Sequence, residues 1–459
     1  MKGEFAVSED GGRVSDLLAL ADRVVSRAND GEQLEAIVVR SRDTEIRIYE
    51  GGIEQLSSAE SAGVGVRVVR DHRQGIAYAG TLAPDVVDEI LAEARENAEF
   101  GSPDEHLGLA EPDGVEPVDL GLWREGLLGV PTEAKVERAM ELERAVAAAD
   151  PRISKVEHAD YTDSMAEAAV ASTAGIRSTS RATTCFVSTY VLAGTGDEIQ
   201  TGFGFSAGRE PVDLDVGLAA ADAAHRATRL LGATKPDSGR FTVVFDPWVT
   251  AQFLGVLSGT LSGEAVLKGR SLFADRLGDD VGAARLTLVD DPTNPLAFGS
   301  TRTDGEGLAT RRNLLIDGGV LAGFLHNAYT GRWSGTGSTG SAVRGFKSAP
   351  GVGARALALV PGSSSQAELV GAIDDGVLVQ SVKGLHSGVN PVSGDFSTGA
   401  DGLRIRGGEL AEPLRGFTIA STIQRMLKDV AAVGGDVEWL PMRAAGVSLV
   451  VDDVTISGT

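Results

Sequence analysis

Residues 388–436 read GVNPVSGDFSTGADGLRIRGGELAEPLRGFTIASTIQRMLKDVAAVGGD, and this stretch carries the clearest structural pattern in the chain. Its segment GLRIRGGEL (402–410) places two glycines between strand-forming residues, as a tight hairpin turn requires. The segment STIQRMLKDVAAV (421–433) then predicts a helix. A similar strand, Gly-Gly turn and strand occur upstream in RNLLIDGGVLAGFLH (312–326). Hairpins are therefore expected to dominate this half of the chain.

The first half of the chain alternates between helical and strand patterns. LEAIVVRS (34–41) and TEIRIYEGG (44–52) predict two strands joined by a short turn, and VGVRVVRDHRQGIAYAG (64–80) predicts a strand pair that turns near Asp71–Gln74. The amphipathic segment TEAKVERAMELERAVAAAD (132–150) predicts a helix.

The composition changes near TKPDSGRFTVVFDPW, where a strand-rich region begins. The sequence therefore predicts an α+β fold. A domain of mixed helices and sheet is expected over residues 1–235, followed by a mainly antiparallel β domain over residues 236–459.

Charge and cysteine content exclude several classes of protein. The formal net charge of −23 would repel a polyanion, so no nucleic-acid partner is expected. Cys185 is the single cysteine, which excludes an intrachain disulfide and a Cys-rich zinc site. No run of about 18 apolar residues predicts a membrane span, and the first residues, MKGEFAVSEDGGRV, lack the apolar core of a signal peptide. These features favour a reducing cytoplasm.

Histidine spacing argues against a metal site on a single helix. No two of the six histidines stand three to five residues apart, and HExxH and HExxxH are both absent. A metal site formed by ligands from distant segments, such as His386 with Asp395, remains an alternative. The histidines are His72, His106, His158, His225, His326 and His386.

Two nucleophile patterns are present. GFSAG (204–208) matches GxSxG with Ser206 as the nucleophile, but the elbow needs a strand, a sharp turn and an immediate helix, whereas REPVDLD intervenes here. Cys185 lies among strand-forming residues, which favours a small buried side chain over a reactive thiolate.

The segment TDGEG (303–307) places Asp304 and Glu306 in a Gly-rich loop. Such a pair either performs acid–base work or binds a cation, or it is a solvated turn. The segment GTGSTGSAVRG (335–345), which contains Arg344, either surrounds an anion or a peptide carboxylate with backbone N–H groups or forms an ordinary tight loop.

Two segments resemble the TldD/PmbA peptidase family. Residues 388–436 contain, in order, NP-x-x-GDFS, G-x-x-I-x-x-G, P-x-x-G-x-T-I-A and a helix ending in G-x-D. RTDGEGLATRRNLLIDGGVLAGFLHNAYTGRW (302–333) is similar to the family's acidic turn and following hairpin, although the family often has DDEG where this chain has DGEG. The resemblance covers nearly the whole chain and is most specific at its C-terminal end.

The resemblance implies a subunit type. TldD-type chains carry HExxxH and a later cysteine, whereas the TldE or PmbA type lacks this motif and pairs with the first type. An ungapped placement puts the two histidine positions at Leu254 and Gly259 and the glutamate position at Gly255. None of these side chains binds zinc or deprotonates water. SGEAVLKGRS (262–271) is itself similar to the TldE/PmbA type.

What the resemblance implies is therefore a non-metal subunit that forms a heterodimer with a TldD-type subunit. No cofactor is expected on this chain, and zinc is expected on the partner. The complex would act on unfolded or leader-bearing peptides, which reach the partner's zinc through a shared cavity. No residue here is assigned as a catalyst, and the candidate binding residues are Asp304, Glu306, Arg344 and Asp395. Two alternatives stay open: an independent hydrolase that uses Ser206 or another metal site, and a homodimeric peptide-binding protein without catalysis.

Overall fold

The computed structural model describes residues 14–196 and 198–458, apart from the side chain of His386, and contains two large sheets. The first sheet has six antiparallel strands in the order β3-β2-β1-β4-β5-β6. The strands are β1 Gln33–Tyr49, β2 Gly52–Arg70, β3 Arg73–Ala79, β4 Ile153–Ser172, β5 Arg177–Ala193 and β6 Gln200–Gly208.

Helices cover one face of the first sheet. Leu34 and Val38 of β1 pack against the first two helices, and Ile46 and Ile48 of the same strand pack against α4 and α5. Since side chains alternate along a strand, Ile37 points to the opposite face, where it contacts residues from the second half of the chain. The helices are α1 Val14–Val25, α2 Val86–Phe100, α3 Glu125–Leu128, α4 Thr132–Ala149 and α5 Val216–Thr228.

The turn predicted between residues 41 and 44 is wrong, because β1 runs without a break from Gln33 to Tyr49. This segment is polar, but it is paired with β2 on one side and with β4 on the other. Cross-strand contacts hold it: Arg40 Nε donates to Glu167 Oε2 at 3.0 Å, and Ser164 Oγ donates to Asp43 Oδ1 at 2.6 Å. Local polarity indicated a turn, whereas pairing on both sides maintains a strand.

The second sheet nearly closes on itself. Its strands follow the order β16-β15-β14-β7-β20-β17, and an additional pairing of β16 with β20 joins the first strand of this order to the fifth, so that β17 lies outside the ring. Within this sheet, β7 and β14 are parallel and the other pairs are antiparallel. The strands are β7 Gly239–Phe245, β14 Asp375–Lys383, β15 Asp395–Arg406, β16 Glu409–Thr422, β17 Val430–Val433 and β20 Leu449–Ser457.

The second half of the chain also contains short strands and helices outside this sheet. One small sheet has the order β10-β9-β8-β13, and two ribbons pair β11 with β12 and β18 with β19. The short strands are β8 Leu288–Asp290, β9 Asn313–Asp317, β10 Val320–Leu321, β11 Ala342–Val343, β12 Gly351–Val352, β13 Leu357–Leu359, β18 Glu438–Trp439 and β19 Ala445–Gly446. The helices are α6 Pro247–Thr260, α7 Gly263–Leu267, α8 Ala328–Ser334, α9 Gln366–Gly371, α10 Leu385–Gly388 and α11 Ile423–Lys428.

Both predicted Gly-Gly hairpins are confirmed. Gly407 and Gly408 have φ of +56° and +82° between β15 and β16, and Gly318 and Gly319 have φ of +52° and +86° between β9 and β10. Side chains other than glycine rarely adopt this left-handed region, so the glycines set the turns. The strand pair that turns near Asp71–Gln74 is also confirmed, as β2 and β3.

The helix predicted over residues 421–433 is too long. Only Ile423–Lys428 is helical, and Val430–Val433 form β17, which pairs with β20. Apolar residues at helical spacing also satisfy a short buried strand when a partner strand is available.

The predicted fold class is confirmed: an α+β protein whose mixed helix and sheet region is followed by a mainly antiparallel β region. The domain boundary at residues 235/236 lies between α5 and β7 and stays a prediction. In the part of the chain that the structure describes, no helix has the length and apolar character of a membrane span. Residues 1–13, on which the signal-peptide expectation rests, lie outside the described residues.

Candidate functional site

The face of the first sheet opposite α1, α2, α4 and α5 carries a buried charge pair. Glu35 on β1 and Arg67 on β2 are direct cross-strand partners and are only 1% and 3% exposed. Arg67 Nη1 lies 3.8 Å from Glu35 Oε1, while its Nε donates to Gln74 Oε1 at 3.1 Å and its Nη2 donates to the Gly108 carbonyl oxygen at 3.0 Å. Because burying a charge is costly, further polar groups are needed to stabilise this pair.

Two glycines on β2 bring the second half of the chain onto this face. A Cβ atom at Gly63 would lie 2.4 Å from the Phe346 ring, and one at Gly65 would lie 2.0 Å from the Phe346 carbonyl oxygen. Any larger side chain at these two positions would push the segment that contains Phe346 away from the sheet. The glycines therefore allow segments from both halves of the chain to form one site.

Asp304 organises the acidic turn from inside the protein. Its Oδ1 accepts hydrogen bonds from the backbone N–H groups of Glu306 at 2.9 Å and Leu308 at 3.1 Å, and its Oδ2 accepts from Ala342 at 3.0 Å. Asp304 and Glu306 are 5% and 1% exposed, so the solvated-turn alternative is wrong. Ala342 belongs to the Gly- and Ser-rich segment, whose N–H group at this position therefore binds a carboxylate of the protein itself.

Glu306 connects this turn to the charge pair. Its Oε2 accepts a hydrogen bond from the backbone N–H of Ala328 at 2.8 Å, and its Oε1 lies 3.8 Å from Arg67 Nη1. On the other side of Arg67, Arg344 Nη1 donates to Glu35 Oε1 at 2.6 Å. Glu35, Arg67, Glu306 and Arg344 thus form a contiguous buried group, here called the charge cluster.

Burial makes the carboxyl groups of the acidic turn poor acids. Removal from water raises the pKa of Asp304 to about 6, although its backbone hydrogen bonds oppose this shift. Burial raises the pKa of Glu306 to about 7, and the neighbouring carboxylates of Asp304 and Glu35 raise it further, against the opposing effects of Ala328 N–H and Arg67. Glu306 therefore exchanges its proton close to neutral pH.

This shift predicts a pH-dependent stability. The folded-state pKa of Glu306, about 7, lies above the ordinary value of 4.5, so the folded protein binds this proton more tightly than the unfolded chain does. The resulting stabilisation is present below the ordinary pKa and is lost as the pH rises through 7. Glu306→Gln stays neutral at every pH. We therefore expect its Tm to fall less than the Tm of the wild type between about pH 5 and about pH 8, with a difference of roughly 2 °C between the two decreases.

Thermal unfolding at several pH values measures this difference. Glu409→Gln is the matched control, because Glu409 is exposed in the hairpin between β15 and β16. The control should keep the pH dependence of the wild type. Identical pH profiles for Glu306→Gln and the wild type would show that Glu306 does not titrate as described.

A pocket of about 550 Å³ opens next to the charge cluster. Arg67 and Glu306 line its buried end. Glu264 of α7 and Lys268, which directly follows this helix, line its rim, where Lys268 Nζ and Glu264 Oε1 are 2.6 Å apart. This helix belongs to the segment SGEAVLKGRS. The full lining is Arg67, Gln74, Gly101, Ser102, Pro103, Asp104, Leu107, Glu264, Lys268, Glu306, Asn327, Tyr329, Ala349 and Pro350.

Hydrogen bonds fix the wall of the pocket. The Tyr329 hydroxyl donates to Asp104 Oδ2 at 2.7 Å, and Asn327 Nδ2 donates to the Pro350 carbonyl oxygen at 2.9 Å. Arg332 Nη2 and Nη1 donate to the carbonyl oxygens of Gly108 and Leu109 at 2.7 Å and 2.9 Å. The bonds of Tyr329 and Arg332 join α8 to a loop more than 200 residues earlier in the chain, and the bond of Asn327 joins it to the segment that follows. The wall is therefore held in place before any ligand arrives.

The structure brings three of the four predicted binding residues together. Asp304, Glu306 and Arg344 meet at the charge cluster, whereas Asp395 is exposed at the start of β15 and accepts a hydrogen bond from Ser393 Oγ at 2.6 Å. His386, proposed as a ligand beside Asp395, has a side chain outside the described residues.

Sequence reasoning missed Glu35 and Arg67, which supply half of the charge cluster. A detectable pattern was present, because each is a charged residue inside an apolar strand, LEAIVV (34–39) and VGVRVV (64–69). A charge in a strand that is otherwise apolar indicates a buried polar contact.

Helix α6 supplies no metal ligand at the three positions singled out by the resemblance. Leu254 is 1% exposed and packs in the largest core cluster, while Gly255 and Gly259 are exposed, and a Cβ atom at either would meet nothing within 4 Å. Zinc requires imidazole, thiolate or carboxylate donors, so these residues do not fit the metal. Among the described residues, no group of three or more His, Cys, Asp and Glu side chains is arranged to hold a metal ion.

The surroundings of Ser206 and Cys185 are those of structural residues and not of catalytic nucleophiles. Ser206 lies within β6 and its Oγ accepts a hydrogen bond from the backbone N–H of Asp215 at 2.9 Å. A 3-10 turn at Pro211–Asp213 separates this strand from α5, so the strand-turn-helix elbow is absent from this segment. Cys185 is fully buried, and burial raises the pKa of its thiol to about 12, so the thiol stays protonated.

Three family models match most of the chain. They are described as PmbA/TldA metallopeptidase domain 1, over residues 34–98, the central domain, over residues 125–231, and the C-terminal domain, over residues 238–458.

Individual relatives match at nearly full length. The metalloprotease PmbA of Escherichia coli is 25% identical over 448 residues, which cover 97% of this chain and 96% of the relative. A metalloprotease of Methanothermobacter thermautotrophicus is 28% identical over 404 residues, 86% of each chain. The crystal structure of TldE from Thermococcus kodakarensis superposes with a TM-score of 0.87 at 25% identity, covering 97% of this chain and 99% of that one.

Proposed function

Because this chain belongs to the PmbA/TldD metallopeptidase family, we propose that it is the subunit without a metal site in a peptidase complex whose TldD-type partner binds zinc. The chemistry of α6 carries this proposal: Leu254 packs in the core, and Gly255 and Gly259 have no donor atoms in their side chains. Peptide cleavage then depends on donors that another chain supplies. The likeness to TldE supports the same assignment.

The substrates under this proposal are unfolded or leader-bearing peptides, and the chain helps to form the cavity through which they reach the partner's zinc. The pocket beside the charge cluster lies between the first sheet and the segments that carry α7 and α8, and it is large enough for a few residues of an extended chain. With Cys185 as its single cysteine, the chain has no intrachain disulfide, which is typical of proteins in a reducing compartment and supports a cytoplasmic location.

Strand β2 offers a surface for the partner. Gly52–Ser61 are exposed on both faces of the sheet, and in the described residues they pair with β1 on one side and with no strand on the other. Ile53 and Leu56 are 50% and 45% exposed within this segment. An unpaired edge presents free backbone N–H and C=O groups, and a strand of another chain satisfies them.

Reconstitution with an HExxxH-bearing partner tests the proposal. We expect the purified chain alone to bind no stoichiometric zinc and to leave a reduced, unfolded polypeptide intact. The mixture of both chains should cleave that polypeptide, and a chelator should stop the cleavage. Metal analysis and a time course of peptide products measure these outcomes. Zinc bound by the isolated chain together with cleavage, or activity that Ser206→Ala removes, would instead favour an independent hydrolase.

The same mixture tests the β2 edge. Leu56→Lys should weaken assembly of the two chains in sedimentation velocity, because it places a charge on the exposed strand. Leu296→Lys is the matched control, since Leu296 is 73% exposed in a loop far along the chain. Equal assembly by both variants would exclude the edge as the contact. Peptide binding without turnover in every combination would favour the non-catalytic homodimer.

A further inference from the structure

The charge cluster contains buried hydrogen-bond donors that its own members do not use. Nη1 of Arg67 and Nε and Nη2 of Arg344 have no hydrogen-bond partner among the described residues, and the fourth unpaired atom of the cluster is the acceptor Glu35 Oε2. Buried polar atoms in native proteins are nearly always paired, so unpaired atoms require an explanation such as water or a bound group. Because three of these four atoms are donors, the group that the cluster lacks is an acceptor.

The charges around the buried end of the pocket favour a negatively charged acceptor. Four guanidinium groups act on this end, against three carboxyl groups. One of the carboxyl groups, Glu306, is about half protonated at pH 7 because its pKa is about 7. A single additional negative charge would offset the remaining excess of positive charge. The guanidinium groups belong to Arg67, Arg332, Arg344 and Arg355, and the carboxyl groups belong to Glu35, Asp304 and Glu306.

Arg67 and Glu306 offer such an acceptor a defined position. Both line the pocket, and Arg67 is only 3% exposed. Arg67 Nη1 and Glu306 Oε1 are 3.8 Å apart, so one oxygen atom placed beside them lies within about 2.8 Å of both. Since Nη1 is buried, a small rotation of the Glu306 side chain must open this contact as a ligand enters. Protonated Glu306 then donates to the same oxygen atom as Arg67.

The other charged groups of the pocket are already paired. Lys268 Nζ and Glu264 Oε1 lie 2.6 Å apart, so their charges cancel at the rim. Asp104 accepts from the Tyr329 hydroxyl at 2.7 Å and from the backbone N–H of His106 at 2.9 Å, so both of its oxygens are used. Apolar side chains complete the lining and suit the aliphatic part of a peptide residue. They are Pro103, Leu107, Ala349 and Pro350.

We propose that this pocket binds a carboxylate group of an extended peptide, which accepts hydrogen bonds from the Arg67 guanidinium and from Glu306 at the buried end, while the adjoining residue packs against the apolar lining. The carboxylate supplies the acceptor and the negative charge that the buried end lacks. Both the carboxyl terminus and an Asp or Glu side chain of a peptide carry this group. The inference rests on the proposed role in handling peptides, and it names the part of the peptide that this chain holds.

Calorimetry on the isolated full chain tests the inference with four acetylated peptides of one Ala- and Ser-based sequence. The first has a free carboxyl terminus, and the second is the same peptide amidated. The third is amidated with one internal glutamate, and the fourth carries glutamine at that position. We expect a peptide with a carboxylate to bind at least about tenfold more tightly than its amide counterpart, because the amide loses a charge-assisted hydrogen bond. The two pairs separate the two sources of the carboxylate.

The net charge of the chain makes this comparison stringent. A charge of −23 repels anions over the surface as a whole, so a preference for the carboxylate identifies a local site and not a general attraction. All four peptides are measured at about 0.15 M salt, where this long-range repulsion is largely screened.

A substitution at Arg67 locates the interaction. Arg67→Gln should weaken binding of the preferred carboxylate peptide about tenfold and leave binding of its amide counterpart unchanged. Arg70→Gln is the matched control, because Arg70 ends the same strand and its side chain is 61% exposed. Since Arg67 is buried, circular dichroism must show that the variant is folded, and the peptide series on the wild type tests the inference without it.

The pH dependence of binding gives a second test. Between pH 6 and pH 8 the affinity of the wild type for the carboxylate peptide should fall about tenfold, because Glu306 loses the proton that it donates and its carboxylate then repels the ligand. Glu306→Gln keeps an N–H donor and cannot ionise, so its affinity should change less than about twofold over this range. The charged groups that face Glu306 are Asp304, Glu35, Arg67 and Arg332.

Two histidines also gain protons as the pH falls. His72 and His106 act on Asp104 at the pocket wall, and both are present in the wild type and in Glu306→Gln. The difference between the two pH profiles therefore reports Glu306 alone.

Three results would overturn the inference. The first is equal affinity for the carboxylate and amide member of both pairs, or no binding of any peptide at millimolar concentration. The second is a folded Arg67→Gln variant that binds as the wild type does. The third is the same pH profile for Glu306→Gln and the wild type. None of them bears on partner-dependent cleavage, so the proposed subunit role and the carboxylate site fail or succeed separately.

Discussion

Replacing Glu35 with Gln is expected to lower the free energy of unfolding by about 3–5 kcal/mol, because it leaves two buried guanidinium groups without their shared carboxylate. Glu35 Oε1 accepts from Arg344 Nη1 at 2.6 Å and lies 3.8 Å from Arg67 Nη1. The side chains of Glu35 and Arg344 are 1% and 2% exposed, so solvent cannot replace the lost partner.

Urea denaturation followed by circular dichroism measures this loss. Glu45→Gln is the matched control, because Glu45 lies on the same strand and is exposed. The double variant Glu35→Gln/Arg344→Met should recover part of the stability, with a coupling energy on the order of 1 kcal/mol or more. Additive effects of the two substitutions would contradict a direct interaction between Glu35 and Arg344.

Asp163→Asn is expected to have a similar cost, about 3–5 kcal/mol, at a second buried ion pair beneath α4. Lys135 Nζ lies 2.6 Å from Asp163 Oδ2, and the two side chains are 5% and 0% exposed. The Tyr161 hydroxyl donates to Asp163 Oδ2 at 2.9 Å, and burial together with this carboxylate raises the pKa of the phenol. Without the carboxylate, the Lys135 ammonium group keeps only its 3.2 Å contact with Thr44 Oγ1 among its described partners.

The same denaturation assay checks this second prediction. Asp30→Asn, an exposed acid-to-amide change, should leave stability within about 0.5 kcal/mol of the wild type. Adding Lys135→Met to Asp163→Asn removes both charges and should restore most of the loss, since an apolar replacement of a buried pair is often neutral. If the single Asp163→Asn variant is as stable as Asp30→Asn, the ion pair contributes nothing.

Local sequence was sufficient for the two Gly-Gly turns and for the fold class. The Gly-Gly pairs at 318–319 and 407–408 predicted hairpins, and both formed, because positive φ is a property of the glycine itself. The predictions of where single strands and helices end were less successful. β1 passes through a polar stretch, and β17 replaces the end of a predicted helix, because the pairing partners β4 and β20 come from distant parts of the chain.

The candidate site was likewise predicted only where local sequence decides it. The acidic turn and Arg344 were identified from residue types alone, but Arg344 and Glu35 are 309 residues apart and meet only through the close approach at Gly63 and Gly65. The convergence of these residues follows from strand register and from the packing of the segment around Phe346 against the first sheet. Neither leaves a pattern in any single segment.

The sequence by itself determined what α6 cannot do. Leucine and glycine lack metal-binding atoms wherever they lie, so the absence of ligands at residues 254, 255 and 259 needed no coordinates. Only the tertiary structure decided that Glu306 is buried beside Arg67 and exchanges its proton near neutral pH. Donor chemistry belongs to a side chain, whereas its pKa depends on how much water and which charges the fold leaves around it.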